Sequence, residues 1–237
     1  MRFYIYFLMI FLSFIYSNDL LASVVMTGTR IIYPSQIKVK TIQFTNPDKQ
    51  PYIIQTQVES ENNQAGSPGE LAPFTVLPQI FRMEPGMGQS VRLKYSGDSL
   101  PQDRESLFYL SFTQLPALKV SDKDANQLVF AITNRVKIFY RPIGIAGKSD
   151  DTANNLDLTL KEGNVEVSNS GGYYAVIRNA EIIVSGKKIT LANSVMVPPK
   201  TKLIWKPSAS IASLNGVKLR LTLVNDYGND VMTERSL

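Results

Sequence analysis

The feature that most constrains this chain is a recurrence of short runs rich in Val, Ile, Thr, Tyr and Phe. They cover Ser23 to Tyr33, Gln36 to Thr45, Tyr52 to Glu59, Gln89 to Tyr95 and Ser106 to Leu115. Turn clusters separate them: Asn46-Pro47-Asp48, Asn62 to Gly69, and Glu84 to Gly88. Branched and aromatic side chains suit a pleated surface, whereas Gly, Pro and Asn suit the reversals between strands. No stretch keeps a 3.6-residue apolar period for more than a turn or two, so helices contribute little. Regular short strands with this punctuation predict an all-β sandwich or barrel.

The N-terminus predicts export. Arg2 forms a short basic region, Phe3 to Tyr16 is an unbroken run of 14 apolar and aromatic residues, and Leu20-Leu21-Ala22-Ser23 offers a small residue for cleavage. A bilayer needs roughly 20 such residues, so the run reads as a signal peptide over residues 1–22 and not as an anchor. No later segment has the length and apolarity of a membrane-spanning helix. The expected mature chain keeps 237 − 22 = 215 residues, enough for two domains of about 100 each.

Cysteine and histidine are both absent. Thiol nucleophiles, His-based triads and His or Cys metal sites are therefore excluded, and an exported domain without disulfides must rely on its apolar core. The carboxylate pairs Asp122 with Asp124 and Asp150 with Asp151 lie in polar loops, where solvated charge is their reading. No Gly-rich phosphate loop or nucleophile elbow occurs, so neither an enzyme nor a cofactor is expected. The net charge of +5 is spread over many strands without a Lys/Arg cluster, which argues against nucleic acid as a partner.

A boundary is expected after Arg141-Pro142. Proline would interrupt a ladder, and Gly144, Gly147 and the polar Lys148 to Asn155 read as a connector. This gives domains at 23–142 and 143–237. The second carries its own strand series: Leu156 to Leu160, Val165 to Ser168, Tyr173 to Arg178, Glu181 to Val184, Lys202 to Trp205, Lys218 to Val224, and one near Val231.

One segment departs from this pattern. Gln127 to Tyr140 is 14 residues long, against about 5–6 for a usual strand, and is apolar on both faces. Leu128, Phe130 and Ile132 share one face; Val129, Ala131 and Thr133 share the other. Two apolar faces mean burial on both sides, or one face kept for a partner. An open apolar edge is an aggregation hazard that something must cover.

The segment Leu100-Pro101-Gln102-Asp103-Arg104-Glu105-Ser106-Leu107-Phe108-Tyr109, closing at Leu115-Pro116, resembles the signature of PapD-like periplasmic pilus chaperones. Ser111 departs from it, standing where the family usually has Asn or Cys. Arg82-Met83-Glu84-Pro85-Gly86, Val136 to Pro142 and Asn225-Asp226-Tyr227-Gly228 are similar to further family segments, in the same order.

The resemblance implies two immunoglobulin-like sandwiches in tandem, set at an angle with a cleft between them. It implies a periplasmic chaperone that stabilises pilus subunits by donor-strand complementation and delivers them to an outer-membrane usher. Arg30 and Lys137 would bind the subunit's C-terminal carboxylate, and Leu128, Phe130 and Ile132 would fill its open groove. Glu105, Arg141 and Asp226 would form ion pairs between the domains. The family's spacing before Arg30 places the mature start at Ser23. The short, cysteine-free loop Ala117 to Gln127 resembles the short-loop branch. Whether the free chaperone covers its edge by self-association stays open. The alternative reading is a secreted structural or adhesive β-sandwich, such as a pilus subunit.

Overall fold

The structure, a computed structural model, describes residues 23–61, 72–97, 100–117, 128–184 and 186–237. The expected signal peptide, the cluster Asn62 to Gly69, the pair Asp122 and Asp124, most of the loop before residue 128 and Gln127 itself lie outside the described residues. No helix among the described residues is long and apolar enough to cross a membrane.

The first half contains β1 (Val25–Met26), β2 (Arg30–Pro34), β3 (Lys40–Thr45), β4 (Tyr52–Ser60), β5 (Phe74–Leu77), β6 (Ile80–Met83), β7 (Gly88–Tyr95), β8 (Ser106–Pro116) and β9 (Ile132–Arg141). They form a four-stranded sheet, β1-β3-β7-β5, and a five-stranded sheet, β2-β9-β8-β4-β6. Alternation along the strands sends Ile42, Phe44, Val91 and Leu93 from one sheet, and Ile54, Leu110 and Ile138 from the other, into a single core. Phe44 meets Phe112 edge to face, with ring centroids 5.1 Å apart.

The second half contains β10 (Leu156–Lys161), β11 (Asn164–Asn169), β12 (Ala175–Val184), β13 (Lys187–Val197), β14 (Thr201–Trp205), β15 (Lys218–Val224) and β16 (Asp230–Ser236). Sheets β10-β11-β14 and β13-β12-β15-β16 enclose a separate core around Leu156, Val167, Ile177, Ile182 and Leu219. The fold is all-β, two sandwiches in tandem.

Two departures from the expected strands shape the site. First, the run Ser23 to Tyr33 is not one strand. β1 pairs with β3 in one sheet, whereas β2 pairs with β9 in the other, and Gly28 makes the crossing at φ +87°. Positive φ costs a residue with a Cβ roughly 1–2 kcal/mol, which is why glycine suits this corner.

Second, β9 begins at Ile132 and not at Gln127. Leu128 to Ala131 carry no strand pairing. Its partner β8 runs out at Pro116, which has no N–H to give. On its other side β2 reaches back only to Lys137. Residues 132–136 are consequently paired on one side alone.

The sequence pattern also passed over β5, β6 and β13. β13 lacks a clean alternation: it carries Ser194 at φ +49° and faces a bulge between Ala180 and Glu181.

Candidate functional site between the domains

In β2 the residues Ile31 and Tyr33 point into the core, so Arg30 points out. In β9 the residues Ile138 and Tyr140 point in, so Lys137 and Phe139 take the opposite face. The parallel pairing sets Arg30 directly opposite Lys137. Two residues about 107 positions apart in sequence are thus cross-strand neighbours on one face. Like charges so placed repel one another.

Among the described residues, no carboxylate lies within 4 Å of either side chain. The Arg30 guanidinium donates from Nη1 to the Val224 carbonyl at 2.9 Å, while its buried Nε has no partner. Burial pushes the Arg30 pKa down, with Asp226 opposing and Arg178 adding to the shift. Burial likewise lowers the Lys137 pKa, reinforced by Arg30 and then Arg135. Both cations are held charged at some cost, and an incoming anion would relieve it.

Beside this pair the domains are locked together by charge. Arg141 Nε donates to Glu105 Oε1 at 2.7 Å, and its two Nη atoms donate to both Asp226 oxygens at 2.6 and 2.8 Å. Glu105 Oε2 accepts the backbone N–H of Tyr174 at 2.9 Å, and Ser149 Oγ donates to Asp226 at 3.1 Å. Burial works against the Arg141 charge, but its bonds to Asp226 and Glu105 outweigh that and raise its pKa. Burial raises the Asp226 pKa, and the same bonds reverse the shift to a net lowering. Glu105 is pushed up by burial, with Arg141 opposing. A planar guanidinium serving two carboxylates at once is an arrangement lysine could not reproduce.

The structure therefore brings Glu105, Arg141 and Asp226 into one network, and Arg30 and Lys137 into one pair. Arg30 and Arg141 both hold the β15–β16 hairpin, at Val224 and Asp226. Gly228 at its tip approaches Thr29 so closely that an added Cβ would lie 2.3 Å from Oγ1. Leu128, Phe130 and Ile132 stand apart from this cluster, 80%, 67% and 48% exposed.

Sequence reasoning missed a second cluster on the outward face. Arg135 pairs with Glu59 at 3.2 Å and lies 3.7 Å over the Tyr109 ring. Ser111, buried in β8, hydrogen-bonds Glu59 as well. The alternation of Tyr109, Ser111 and Thr113 with the apolar Phe108, Leu110 and Phe112 marks this face of β8, but not the cross-strand partners Glu59 and Arg135.

Two β-sandwiches joined through an ion-paired hairpin define a tandem sandwich protein with a charged interdomain cleft, and comparison with known proteins specifies which kind. Residues 23–146 match the pili and flagellar-assembly chaperone PapD N-terminal domain, and residues 151–235 match the pili assembly chaperone PapD C-terminal domain. The chain is 30% identical to the chaperone protein MrkB of Klebsiella pneumoniae over 226 residues, covering 94% of this chain and 95% of MrkB. It is 29% identical to the probable fimbrial chaperone YadV of Escherichia coli over 228 residues, covering 91% of this chain and 90% of YadV. The crystal structure of YadV chaperone superposes with a TM-score of 0.77 at 26% identity, covering 91% of this chain and all of that one. The Salmonella enterica SafB chaperone, solved in complex with the SafA pilin, shares the fold at a TM-score of 0.72 and 23% identity, covering 93% of this chain and 99% of that one. The chain belongs to the PapD-like family of pilus-assembly chaperones.

Proposed function

We propose that this protein is a periplasmic chaperone that holds pilus subunits by their C-terminal end and passes them to an outer-membrane usher. The observation that carries the reading is the parallel register setting Arg30 opposite Lys137, two half-buried cations with no carboxylate within 4 Å among the described residues. A chain-terminal carboxylate fits this pair: it accepts two bonds from a guanidinium and faces the ammonium as a point charge. Each charge-assisted bond contributes about 1.5–3 kcal/mol.

From that anchor the one-sided stretch of β9, continued by Leu128 to Ala131, offers free backbone groups to an extended client segment. Leu128, Phe130 and Ile132 are spaced to enter alternate pockets of the client. The exposed apolar residues at this edge are then the chaperone's lent strand. Glu105, Arg141 and Asp226 fix the cleft in which the anchor operates. Residues 1–22 serve as the cleaved export signal, ahead of chaperone domains at 23–142 and 143–237. Binding and transfer of subunits need no catalysis, in keeping with relatives named as chaperones.

The test is co-purification of a pilus subunit with the Arg30→Ala/Lys137→Ala double variant from periplasmic extract. The variant is expected to fold, with an unchanged circular-dichroism spectrum, and to lose the subunit. Recovery of subunit at the wild-type yield would overturn the anchor.

A further inference from the structure

We infer that the apolar half of the interdomain cleft receives the side chain of the client's last residue and selects for apolar ones. This rests on the carboxylate reading of Arg30 and Lys137 and extends it. The cleft holds a cavity of about 500 Å³, within the range of roughly 300–1,000 Å³ typical of ligand pockets. Arg30 lines it and Lys137 does not, so a carboxylate held between the two sits at its rim. The residue bearing that carboxylate has its side chain at the cavity mouth. The buried Arg30 Nε, without a partner, is a donor there for the incoming acceptor.

Part of the lining is apolar. Phe139 lies two residues beyond Lys137 on the same face of β9, and Val176, Leu223, Val231 and Met232 line the cavity from the second domain. Val231 and Met232 are 48% and 63% exposed, so an entering side chain would remove apolar surface from water. Val231, Met232 and Thr233 line the cavity consecutively, although side chains alternate along a strand. The edge of β16, paired on one side only by β15, therefore borders the cavity along with its side chains.

The acids that line the cavity set the charge preference. Asp226 is committed to Arg141, and Glu105 and Asp150 line the same cavity, so an acidic side chain would meet like charge. The geometry suits an uncharged side chain of leucine to phenylalanine size, bonded by its own carboxylate to Arg30.

The experiment titrates the whole mature protein with short peptides of alternating valine and serine that differ only in the last residue. The end residue is Leu, Ser, Asp or Lys as the free acid, with Leu also as the amide. The Leu acid is expected to bind about tenfold more tightly than the Ser, Asp or Lys acids, the size of a one-side-chain discrimination in an apolar pocket. A Val231→Ser/Met232→Ser variant is expected to bring the Leu and Ser acids within about twofold of each other, the Ser acid itself being little changed. Equal binding of all four acids, or a preference that survives the double variant, overturns the cavity assignment. Equal binding of Leu acid and Leu amide overturns the carboxylate anchor instead, and the end-residue series then still tests the cavity. Failure of the Leu acid to bind overturns both.

Discussion

In the second half of β9, Ile138, Phe139 and Tyr140 are buried, with β2 on one side and β8 on the other. A few residues earlier, Ile132 has β8 alone, and Phe130 and Leu128 have no strand partner. The side chains are equally apolar in both stretches, so hydrophobicity does not decide which are covered. The reach of β2 does. Because the chain crosses between sheets at Gly28, β2 meets β9 only from Lys137 onward. The covered half stabilises this protein, whereas the open half has apolar surface and backbone groups left to offer. The cation pair marks the junction between them.

The largest effect separates the halves outright. Ile138→Asp places a charge at a fully buried core position and is expected to cost more than about 4 kcal/mol, removing the cooperative circular-dichroism melt. Phe130→Asp, at an exposed position, is expected to stay within about 0.5 kcal/mol of wild type while weakening subunit retention. A collapsed melt for Phe130→Asp would mean that the open half is part of the core after all.

At the covered end, Arg141→Met leaves the buried Glu105 carboxylate without its cationic partner, with the Tyr174 N–H still bonded to it. Breaking a buried pair from one side costs about 3–5 kcal/mol; about 3 is expected here, because Arg141 retains partial exposure. Urea unfolding is the measurement, and a shift below about 1 kcal/mol would show that the hairpin is held by other contacts. The electrostatics of Glu105 are the physical point: burial pushes its pKa up, and Arg141 is the leading influence that opposes that rise.

How far the sequence displayed this arrangement can be traced residue by residue. Alternation and turn chemistry were enough to find β3, β4, β7 and β8. The ion-pair residues were legible only through motif resemblance, since Glu105, Arg141 and Asp226 are three isolated charges in the chain. The end of β9 was not legible. Apolar periodicity continues from Tyr140 back to Leu128, but pairing depends on where β2 and β8 stop, a tertiary property. The Glu59–Arg135–Tyr109 cluster was hidden for a similar reason: its members lie on three strands, and only cross-strand register joins them.

The sheet crossing is the next place to press on the comparison. Gly28→Val forces a branched side chain into positive φ and is expected to cost about 1–2 kcal/mol, whereas Gly28→Asn should cost less. If strain at this corner helps hold β2 in its short register, hydrogen exchange at residues 132–136 should change more than exchange at residues 138–140. Uniform change along β9 would break the link between the crossing and the open edge.

The smallest effect lies at the junction and has the opposite sign. The folded-state pKa of Lys137 is lowered below its ordinary value of 10.5 by burial and by the neighbouring Arg30 and Arg135. A lysine whose pKa falls on folding disfavours the folded state while it is charged. The penalty is full at neutral pH and fades as pH rises through the folded pKa toward 10.5, because the folded protein gives up the proton first. Lys137→Met is therefore expected to be more stable than wild type at pH 7, by less than about 1 kcal/mol for a half-exposed charge. The gap between the two urea midpoints should narrow as pH increases. A bound C-terminal carboxylate would remove the same penalty at neutral pH, so stabilisation by client should be larger for wild type than for Lys137→Met. Equal stabilisation of both would mean that the cation pair is tolerated for some purpose other than holding a chain end.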